Sequence, residues 1–447
     1  MRLYAALFVI GLVVYGALAG SRITKQSQAP QFVYQADAWL HGQASIDPPL
    51  VDNDWAKLDT VELADGRVVT GKRMLSRPAF RTLDGELVPS QQVRATRETT
   101  WYMSFPPLPT LLMIPSALIS GRAGNDVIPT LLIAALILPL CLLLLRRLAE
   151  AGLSQRSVRD DLWLVFTLGF GSVLFFSAVQ GKVWYTAHVV GVVLALVYAC
   201  ASIEAKRPII AGLAFGAAAL TRTPMAFMVP LFLFEAWRMT EGEWRARLKL
   251  MIKPLIKFAV PAAAFAIAGM IYNYVRFNSP TEFGHTYLEV RQAAQIEQWG
   301  LLSYHYLSRN LTVAFALLPE LPGRAPWIQI GGHGLALWFT TPILLYLLWP
   351  RDKPALHRAL WITVACVALP SLLYQNSGWV QFGYRFSLDY MVFLIMLLAI
   401  GARPLTRLAK GLMIAGVVIN LFGAWSFDRD WRYYRLGGDA YDVIIRH

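Results

Sequence analysis

Long apolar stretches separated by short polar segments dominate the sequence. Crossing a bilayer takes about 20 mostly apolar residues. Nine stretches reach or approach that length: residues 3–20, 127–145, 162–181, 183–203, 258–275, 334–349, 359–374, 386–402 and 411–427. A tenth, residues 208–234, carries Arg222 in its middle and is predicted to form two short helices that meet at Thr221–Arg222–Thr223–Pro224, because proline disfavours helix at the residue before it. The pattern therefore predicts an α-helical membrane protein with about 11 transmembrane helices.

One further apolar stretch, residues 104–121, is predicted not to cross. If it did, the basic segment at 146–160 would lie on the outer side of the membrane. We therefore expect an interfacial or re-entrant helix there, lying against the outer leaflet. The N-terminal stretch ends in Ala17–Leu18–Ala19, which resembles a signal-peptidase site, but we expect it to be retained as a membrane helix.

The composition agrees with this membrane prediction. The 447 residues are 56% hydrophobic and 15% charged. Ordinary soluble domains are about 45–50% apolar and about 25% charged, so a disordered chain is excluded and a soluble enzyme is disfavoured. The three cysteines, Cys141, Cys200 and Cys366, lie in apolar runs and predict no disulfide framework.

The positions of the charges explain the net charge of +13. Five short segments, at 146–160, 204–207, 235–257, 351–358 and 403–410, hold 18 Lys and Arg residues, whereas residues 21–126 balance 11 basic against 11 acidic residues. Short basic loops face the cytoplasm. The charge is thus an orientation signal rather than a nucleic-acid patch, and residues 428–447 are expected to form an outer tail.

The outer segments belong to one transmembrane domain, residues 1–447. The first loop, 21–126, begins with QFVYQADAWLHG, in which Phe32, Ala36 and Leu40 share one helical face. Turn signals at Asp65–Gly66 and Asp84–Gly85 then predict a small β-hairpin. A second large loop is expected at 276–333, and a short one at 375–385.

Charged residues at membrane depth are costly and are candidates for function. The predicted topology brings eight such residues to one outer-leaflet layer: Asp37, Lys182, His188, Arg222, Glu282, His285, Arg385 and Asp389. A carboxylate beside several cations suits group transfer from a membrane-embedded phosphate ester, because cations stabilise the departing phosphate and the carboxylate accepts a proton. Trp379 and Tyr384 are expected to stack on a sugar.

Each candidate also has a structural explanation. Asp37 could be a solvated helix residue, Arg222 could anchor the helix break, and Arg385 could pair with Asp389 one turn later. Lys182 could extend its side chain to the membrane interface, and His188 could be a buried histidine whose hydrogen bonds are all made within the bundle. Asp52–Asn53–Asp54 resembles a metal-binding Asp-x-Asp, which is a weak signal in three residues.

Several motifs resemble those of the polyprenyl-phosphate-dependent glycosyltransferases of the GT-C superfamily, the group related to protein mannosyltransferases and aminoarabinose transferases. FVYQADAWLHG looks like their first-loop helix, SFPPLPTLLMIPSALISG like their Pro-Pro juxtamembrane helix, and GLAFGAAALTRTP like their glycine-rich helix. YNYVRFNSPTEFGHTY and GWVQFGYRFSLDY are similar to late outer-loop motifs. The order of these motifs along the chain makes the resemblance fairly specific.

The resemblance implies a sugar donor on a polyprenyl phosphate, inversion at the anomeric carbon, and a first-loop aspartate as base. Asp37 takes that role, with Asp47 in reserve because Asp37 follows Tyr34 rather than preceding it. Arg222, Arg385, Lys182 and His188 are then expected to bind the donor phosphate. Glu282, His285, Trp379 and Tyr384 are expected to bind sugar or acceptor.

The expected protein is a monomeric, multi-pass enzyme of a bacterial inner membrane, with its site facing the periplasm. Its partners would be the lipid-linked donor, an acceptor glycan, lipid or protein, and membrane lipids, but not nucleic acid. No cofactor is certain, and a divalent cation is possible. The alternatives are a translocator of lipid-linked sugars and a polysaccharide ligase or polymerase that uses a diphosphate-linked lipid.

Overall fold

The structure is a bundle of α-helices with a β-sheet on its first long loop. The computed structural model describes residues 1–51, 54–288, 290 and 293–437. The helices described, α1 to α17 in chain order, are Arg2–Ala19, Gln31–Leu40, Thr110–Ser120, Val127–Ala135, Ile137–Glu150, Val158–Phe170, Leu174–Ala178, Val183–Ser202, Pro208–Ala219, Val229–Arg238, Trp244–Phe277, Ala293–Trp299, Leu307–Phe315, Leu337–Thr340, Ala355–Leu372, Leu388–Ile400 and Arg407–Ser426.

Fewer helices could cross a membrane than the apolar pattern predicts. In the part of the chain that the structure describes, six helical segments are long and apolar enough: Arg2–Thr24, Val127–Glu150, Val183–Ala205, Trp244–Phe277, Ala355–Leu372 and Arg407–Ser426. The prediction of 11 transmembrane helices is therefore not confirmed.

The other predicted spans are short or interrupted helices. Residues 162–181 are divided between α6 and α7, and residues 334–349 between α14 and the 3₁₀ helix Pro342–Leu348. Helix α16 has 13 residues, and every one of them is buried. A helix of that length measures about 20 Å and is shorter than the bilayer core, so α16 is a central helix without a lipid-facing side.

The break predicted around Arg222 is present. Helix α9 ends at Ala219, a 3₁₀ helix occupies Thr223–Phe227, and α10 begins at Val229. The segment predicted not to cross contains only α3, whose 11 residues measure about 17 Å. The predicted first-loop helix is α2.

The β-structure is larger than the small hairpin predicted, so the expected all-α class was incomplete. Strands β1 to β5 are Trp55–Leu63, Val68–Arg73, Ala79–Thr82, Leu87–Pro89 and Val93–Met103, and they form one antiparallel sheet in the order β4-β3-β2-β1-β5. The two turn signals connect β1 to β2 and β3 to β4, where Gly66 and Gly85 have positive φ values of 86° and 89°. The sheet was missed because its pairing of β1 with β5 is not local.

A second, two-stranded sheet joins distant loops. Strands β6, Ile330–Gly331, and β7, Tyr434–Arg435, are parallel. They connect the second large outer loop to the C-terminal tail, whose residues 438–447 lie outside the described part.

Contacts define two opposite ends of the bundle, which we call the basic end and the loop end. At the basic end, Arg156 donates to the carbonyl oxygens of Leu398 and Arg403, and Arg403 donates to that of Trp349. These bonds join the basic segments 146–160 and 403–410 to each other and to Trp349, which lies two residues before the segment 351–358. The loop end carries the sheet and lies at the other terminus of the span Val127–Glu150, where Asp126 accepts bonds from Ser27.

At the loop end, Asp428 bridges the two termini of the chain. One carboxylate oxygen lies 2.9 Å from Lys182 Nζ and 3.7 Å from Arg22 Nη2. Arg22 also donates to the carbonyl of Phe427, and Arg429 donates to that of Ala19. The end of α17 is thereby held against the end of α1.

We predict that Asp428→Asn destabilises the protein by about 3 kcal/mol, because two largely buried cations lose their counter-ion. Thermal unfolding in detergent measures the effect. The matched control, Asp65→Asn, removes an exposed carboxylate from the pair with Arg67 and should change the unfolding temperature little. Equal shifts in both variants would contradict the bridging role of Asp428.

Candidate functional site

A buried ion pair between Arg222 and Asp389 forms the centre of the site. Arg222 Nε and Nη2 donate to the two oxygens of Asp389 at 3.0 and 2.8 Å, in a bidentate arrangement. His188 Nδ1 lies 3.2 Å from the same carboxylate. Bidentate, charge-assisted bonds fix the guanidinium in one orientation. The alternative explanation for Arg385, an ion pair with Asp389, does not hold, since the partners of Asp389 are Arg222 and His188.

The broken helix brings Arg222 to this position. Its backbone is extended after α9 has ended, so its side chain reaches across to α8 and α16. Gly191 in α8 makes room for it: a Cβ there would lie 3.4 Å from Arg222 Cγ and 2.9 Å from Met225 Sδ. The break between α9 and α10 therefore places the cation of Arg222 inside the bundle.

Arg385 lies next to this pair and offers hydrogen-bond donors. It is 5% exposed, and its Nη1 donates to the carbonyl oxygens of Gly378 and Val380. Its guanidinium lies over the rings of Tyr185 and Phe386, at 5.4 and 5.5 Å. In the described part of the chain, its Nε is buried without a hydrogen-bond partner. His188 Nε2 and Tyr384 Oη are also buried and have no hydrogen-bond partner in the described part of the chain.

Asp54 supplies a carboxylate to the same region. Its Oδ2 accepts a bond from Trp184 Nε1 at 2.9 Å. Tyr374, two residues beyond the end of α15, is influenced by the charges of Asp54, Arg222 and Arg385 together. Burial raises the pKa of Tyr374 to about 12, and Asp54 adds to that rise. One tyrosine hydroxyl therefore lies within the field of a first-loop carboxylate and both cations.

His285 closes the site from the second outer loop. Its ring packs edge-to-face against Phe105 and Tyr374, with centroids 6.0 and 6.2 Å apart. Burial, followed by the positive charges of Arg222 and Arg276, lowers the pKa of His285 to about 4. The imidazole is therefore neutral near pH 7.

Glu282 organises the loop rather than facing the cluster. Its oxygens accept bonds from the backbone N–H of Gly284, at 2.6 Å, and from the hydroxyl of Thr286. Because both bonds flank His285 in the chain, they hold the turn that presents the imidazole.

Two candidates occupy other contacts. Lys182 is held by Asp428 and by Gln28, whose Oε1 accepts a bond at 3.0 Å, so it belongs to the bridge between the termini. Asp37 is 18% exposed on α2, with an oxygen 3.8 Å from His41 Nδ1. That oxygen would also lie 3.4 Å from a Cβ on Gly121. No contact in the described residues connects Asp37 to Arg222 or Arg385, and Asp47 is exposed.

The two aromatic candidates are packed against protein. Trp379 lies edge-to-face on His333 at 4.6 Å, and its ring also covers Gly332. Tyr384 is fully buried in a cluster with Val313, Ala314, Leu317 and Phe386. The structure therefore gives no support for sugar stacking on Tyr384.

The described residues hold no group of three or more His, Cys, Asp or Glu side chains that could bind a metal ion. Asp52 and Asn53 of the Asp-x-Asp motif lie outside the described residues. From the sequence, that motif was a weak signal for metal binding only. The hydrogen bond between Trp184 and Asp54 joins residues 130 positions apart, and no local pattern indicates it.

The half-buried imidazole of His285 predicts a specific pH dependence of stability. The pKa of His285 is lowered from 6.5 to about 4 in the folded protein. Between those values the unfolded chain binds a proton that the folded chain does not, so stability falls as the pH drops through that window. We expect His285→Gln to lose less thermal stability than the parent protein between about pH 7 and about pH 5.

His305→Gln is the control, because His305 is exposed. It should lose as much stability as the parent protein over the same pH interval. An undiminished acid loss in His285→Gln would show that this imidazole does not stay neutral on folding.

Comparison with known proteins identifies the family. A sequence model of glycosyltransferase family 87 matches residues 102–370, more than half of the chain, including Arg222 and His285. Comparison with curated proteins finds no match.

Two solved structures of the Archaeoglobus fulgidus oligosaccharyltransferase are similar to this chain at 12% identity, each covering 98% of it. The apo form aligns with a TM-score of 0.48 over 57% of its length. The form of AglB in complex with an inhibitory peptide and a dolichol-phosphate aligns with a TM-score of 0.43 over 56%. The chain thus spans little more than half the length of these proteins.

The family match confirms the resemblance to GT-C glycosyltransferases, and the apolar helices agree with a multi-pass membrane protein. The chain belongs to glycosyltransferase family 87.

Proposed function

We propose that this protein transfers a sugar from a polyprenyl-phosphate donor to an acceptor hydroxyl at the loop end of the bundle, with inversion at the anomeric carbon. The observation that carries the proposal is that Arg222, Arg385 and Tyr374 all pack against the ring of Phe386, at 5.3, 5.5 and 6.3 Å from its centroid. Asp54 lies near enough for its charge to act on Arg385 and Tyr374. The basic end would face the cytoplasm of a bacterium and the site its periplasm, as short basic loops indicate.

Arg385 is proposed as the main ligand of the donor phosphate. Its Nη1 is occupied by backbone carbonyls, but Nε is buried without a partner in the described part of the chain. Nε and Nη2 form the edge of a guanidinium that binds an oxyanion with two parallel bonds. Arg222 uses that edge for Asp389, so it would contribute mainly charge, with Nη1 as its remaining donor.

Asp54 is proposed as the base, in place of Asp37. The charge of Asp54 acts on Arg385 and on Tyr374, and the Trp184 indole orients its carboxylate. Asp37 has no comparable connection among the described contacts. Both aspartates lie on the first outer loop. The proposed base is therefore still a first-loop aspartate, but it is Asp54 instead of Asp37.

The proposed step is a single displacement. The acceptor hydroxyl oxygen forms a bond to the anomeric carbon and gives its proton to Asp54. The bond from that carbon to the phosphate oxygen breaks, and its electron pair leaves with the polyprenyl phosphate. Arg385 and Arg222 stabilise the charge that develops on the leaving phosphate. Neutral His285 can donate a hydrogen bond without adding charge.

Asp54→Asn is predicted to reduce transfer by at least about 100-fold, the effect of removing a positioned base. Release of polyprenyl phosphate from a monophosphate-linked sugar donor, with an acceptor mixture, measures the activity. Asp37→Asn is the matched control, since it makes the same change on the same loop, and it should retain activity.

Loss of activity in Asp37→Asn, with activity retained in Asp54→Asn, would show that Asp37 is the base. No release of polyprenyl phosphate by the parent protein, with movement of intact donor across the membrane, would instead indicate a translocator. Release from a diphosphate-linked donor only would indicate a ligase or polymerase.

Arg385→Lys is predicted to raise the KM for the donor roughly 10- to 100-fold, because lysine keeps the charge but cannot bind an oxyanion through two parallel bonds. Arg309→Lys is the control: Arg309 donates to the carbonyl oxygens of Tyr374 and Gln375 and is not assigned to the phosphate. An equal rise in both variants would indicate that the loop, rather than the phosphate contact, had been disturbed.

A further inference from the structure

A groove between α10 and α15 lies at the basic end, away from the proposed transfer site. Its volume is about 400 Å³, within the range of small-molecule binding sites. Pro230 and Phe234 form one wall, one helical turn apart on α10. Ala355, Ala359 and Ile362 form the other, spaced along one face of α15.

The mouth of the groove carries positive charge. Lys353 and Arg358 are exposed lining residues, and neither has an ion-pair partner among the residues the structure describes. No acidic side chain belongs to the described lining. Asp352 precedes Lys353 but is exposed, and its backbone N–H is bound to the carbonyl of Gly401.

The start of α15 adds to this potential. Pro354 occupies the N-cap position and provides no side-chain cap. The first N–H groups of a helix lack acceptors within the helix, and the helix dipole places partial positive charge there. An anionic group beside Lys353 and Arg358 would therefore meet two cations and a helix N-terminus together.

The groove changes from charged to apolar with depth. Ile362 lies seven residues beyond Ala355, which corresponds to about 10 Å along the helix axis. Ile362 is 55% exposed, so this part of the wall is open to the hydrocarbon core. A ligand that fits has an anionic head and an apolar tail.

We propose that this groove binds an anionic phospholipid from the leaflet at the basic end, with its phosphate between Lys353 and Arg358 and an acyl chain along Phe234 and Ile362. Basic pockets between transmembrane helices on the cytoplasmic side bind such headgroups. The occupant is a lipid rather than free phosphate because the larger part of the lining is apolar.

The test counts lipids bound to the full-length, delipidated protein by native mass spectrometry, after addition of phosphatidylglycerol or phosphatidylcholine in detergent. We expect preferential retention of one phosphatidylglycerol. Lys353→Gln with Arg358→Gln should weaken its binding roughly 30-fold, since each cation at a membrane surface contributes about a factor of five. Ile362→Trp, which keeps both charges but obstructs the apolar part, should also weaken it.

The control is Lys249→Gln with Lys253→Gln, which removes two exposed cations of α11 at the same end of the bundle. It should leave the retained lipid unchanged. Equal losses in both double variants would reduce the effect to general surface charge and overturn the proposal. Equal retention of the two lipids, or displacement by millimolar inorganic phosphate as readily as by lipid, would also overturn it.

Discussion

The ion pair of Arg222 and Asp389 is the interaction on which the site depends. A charge buried among apolar helices is stable only when a counter-charge and hydrogen bonds replace the water it has lost. Arg222 is delivered by a helix break, Asp389 by the first turn of a fully buried helix, and His188 by the long helix between them. Because all three must meet, the broken geometry of α9 and α10 is coupled to the position of α16.

The need of a buried cation for a counter-charge or hydrogen bonds also determines the contacts of Arg385 and Lys182. Arg385 Nη1 donates to the carbonyl oxygens of Gly378 and Val380. Its Nε is buried and has no hydrogen-bond partner in the described structure. Lys182, equally cationic and close in sequence to His188, is neutralised by Asp428 and serves the bridge between the termini. Cations at similar depth therefore have different partners: Arg222 and Lys182 each pair with a carboxylate, whereas Arg385 is bonded to backbone carbonyls.

In the first outer loop, the elements that depend on neighbouring residues could be predicted, and those that depend on distant residues could not. Helix α2 and the turns at Gly66 and Gly85 follow from spacing and from residues that accept positive φ, so they could be predicted. The five-stranded sheet could not, because β1 pairs with β5 across about thirty intervening residues. The contact of Asp54 with Trp184 was missed for the same reason, since Trp184 lies on α8, 130 positions further along the chain.

The sequence by itself determined the membrane character, the clustering of basic segments, the break at Arg222 and the family resemblance, because each depends on composition or on neighbouring residues. Tertiary structure decided which stretches are long helices and which are short and enclosed, as α16 shows: an apolar run does not reveal whether lipid or protein surrounds it. It also decided the partners of Asp389, Lys182 and Asp54, because ion pairs form between side chains that only packing brings within about 4 Å.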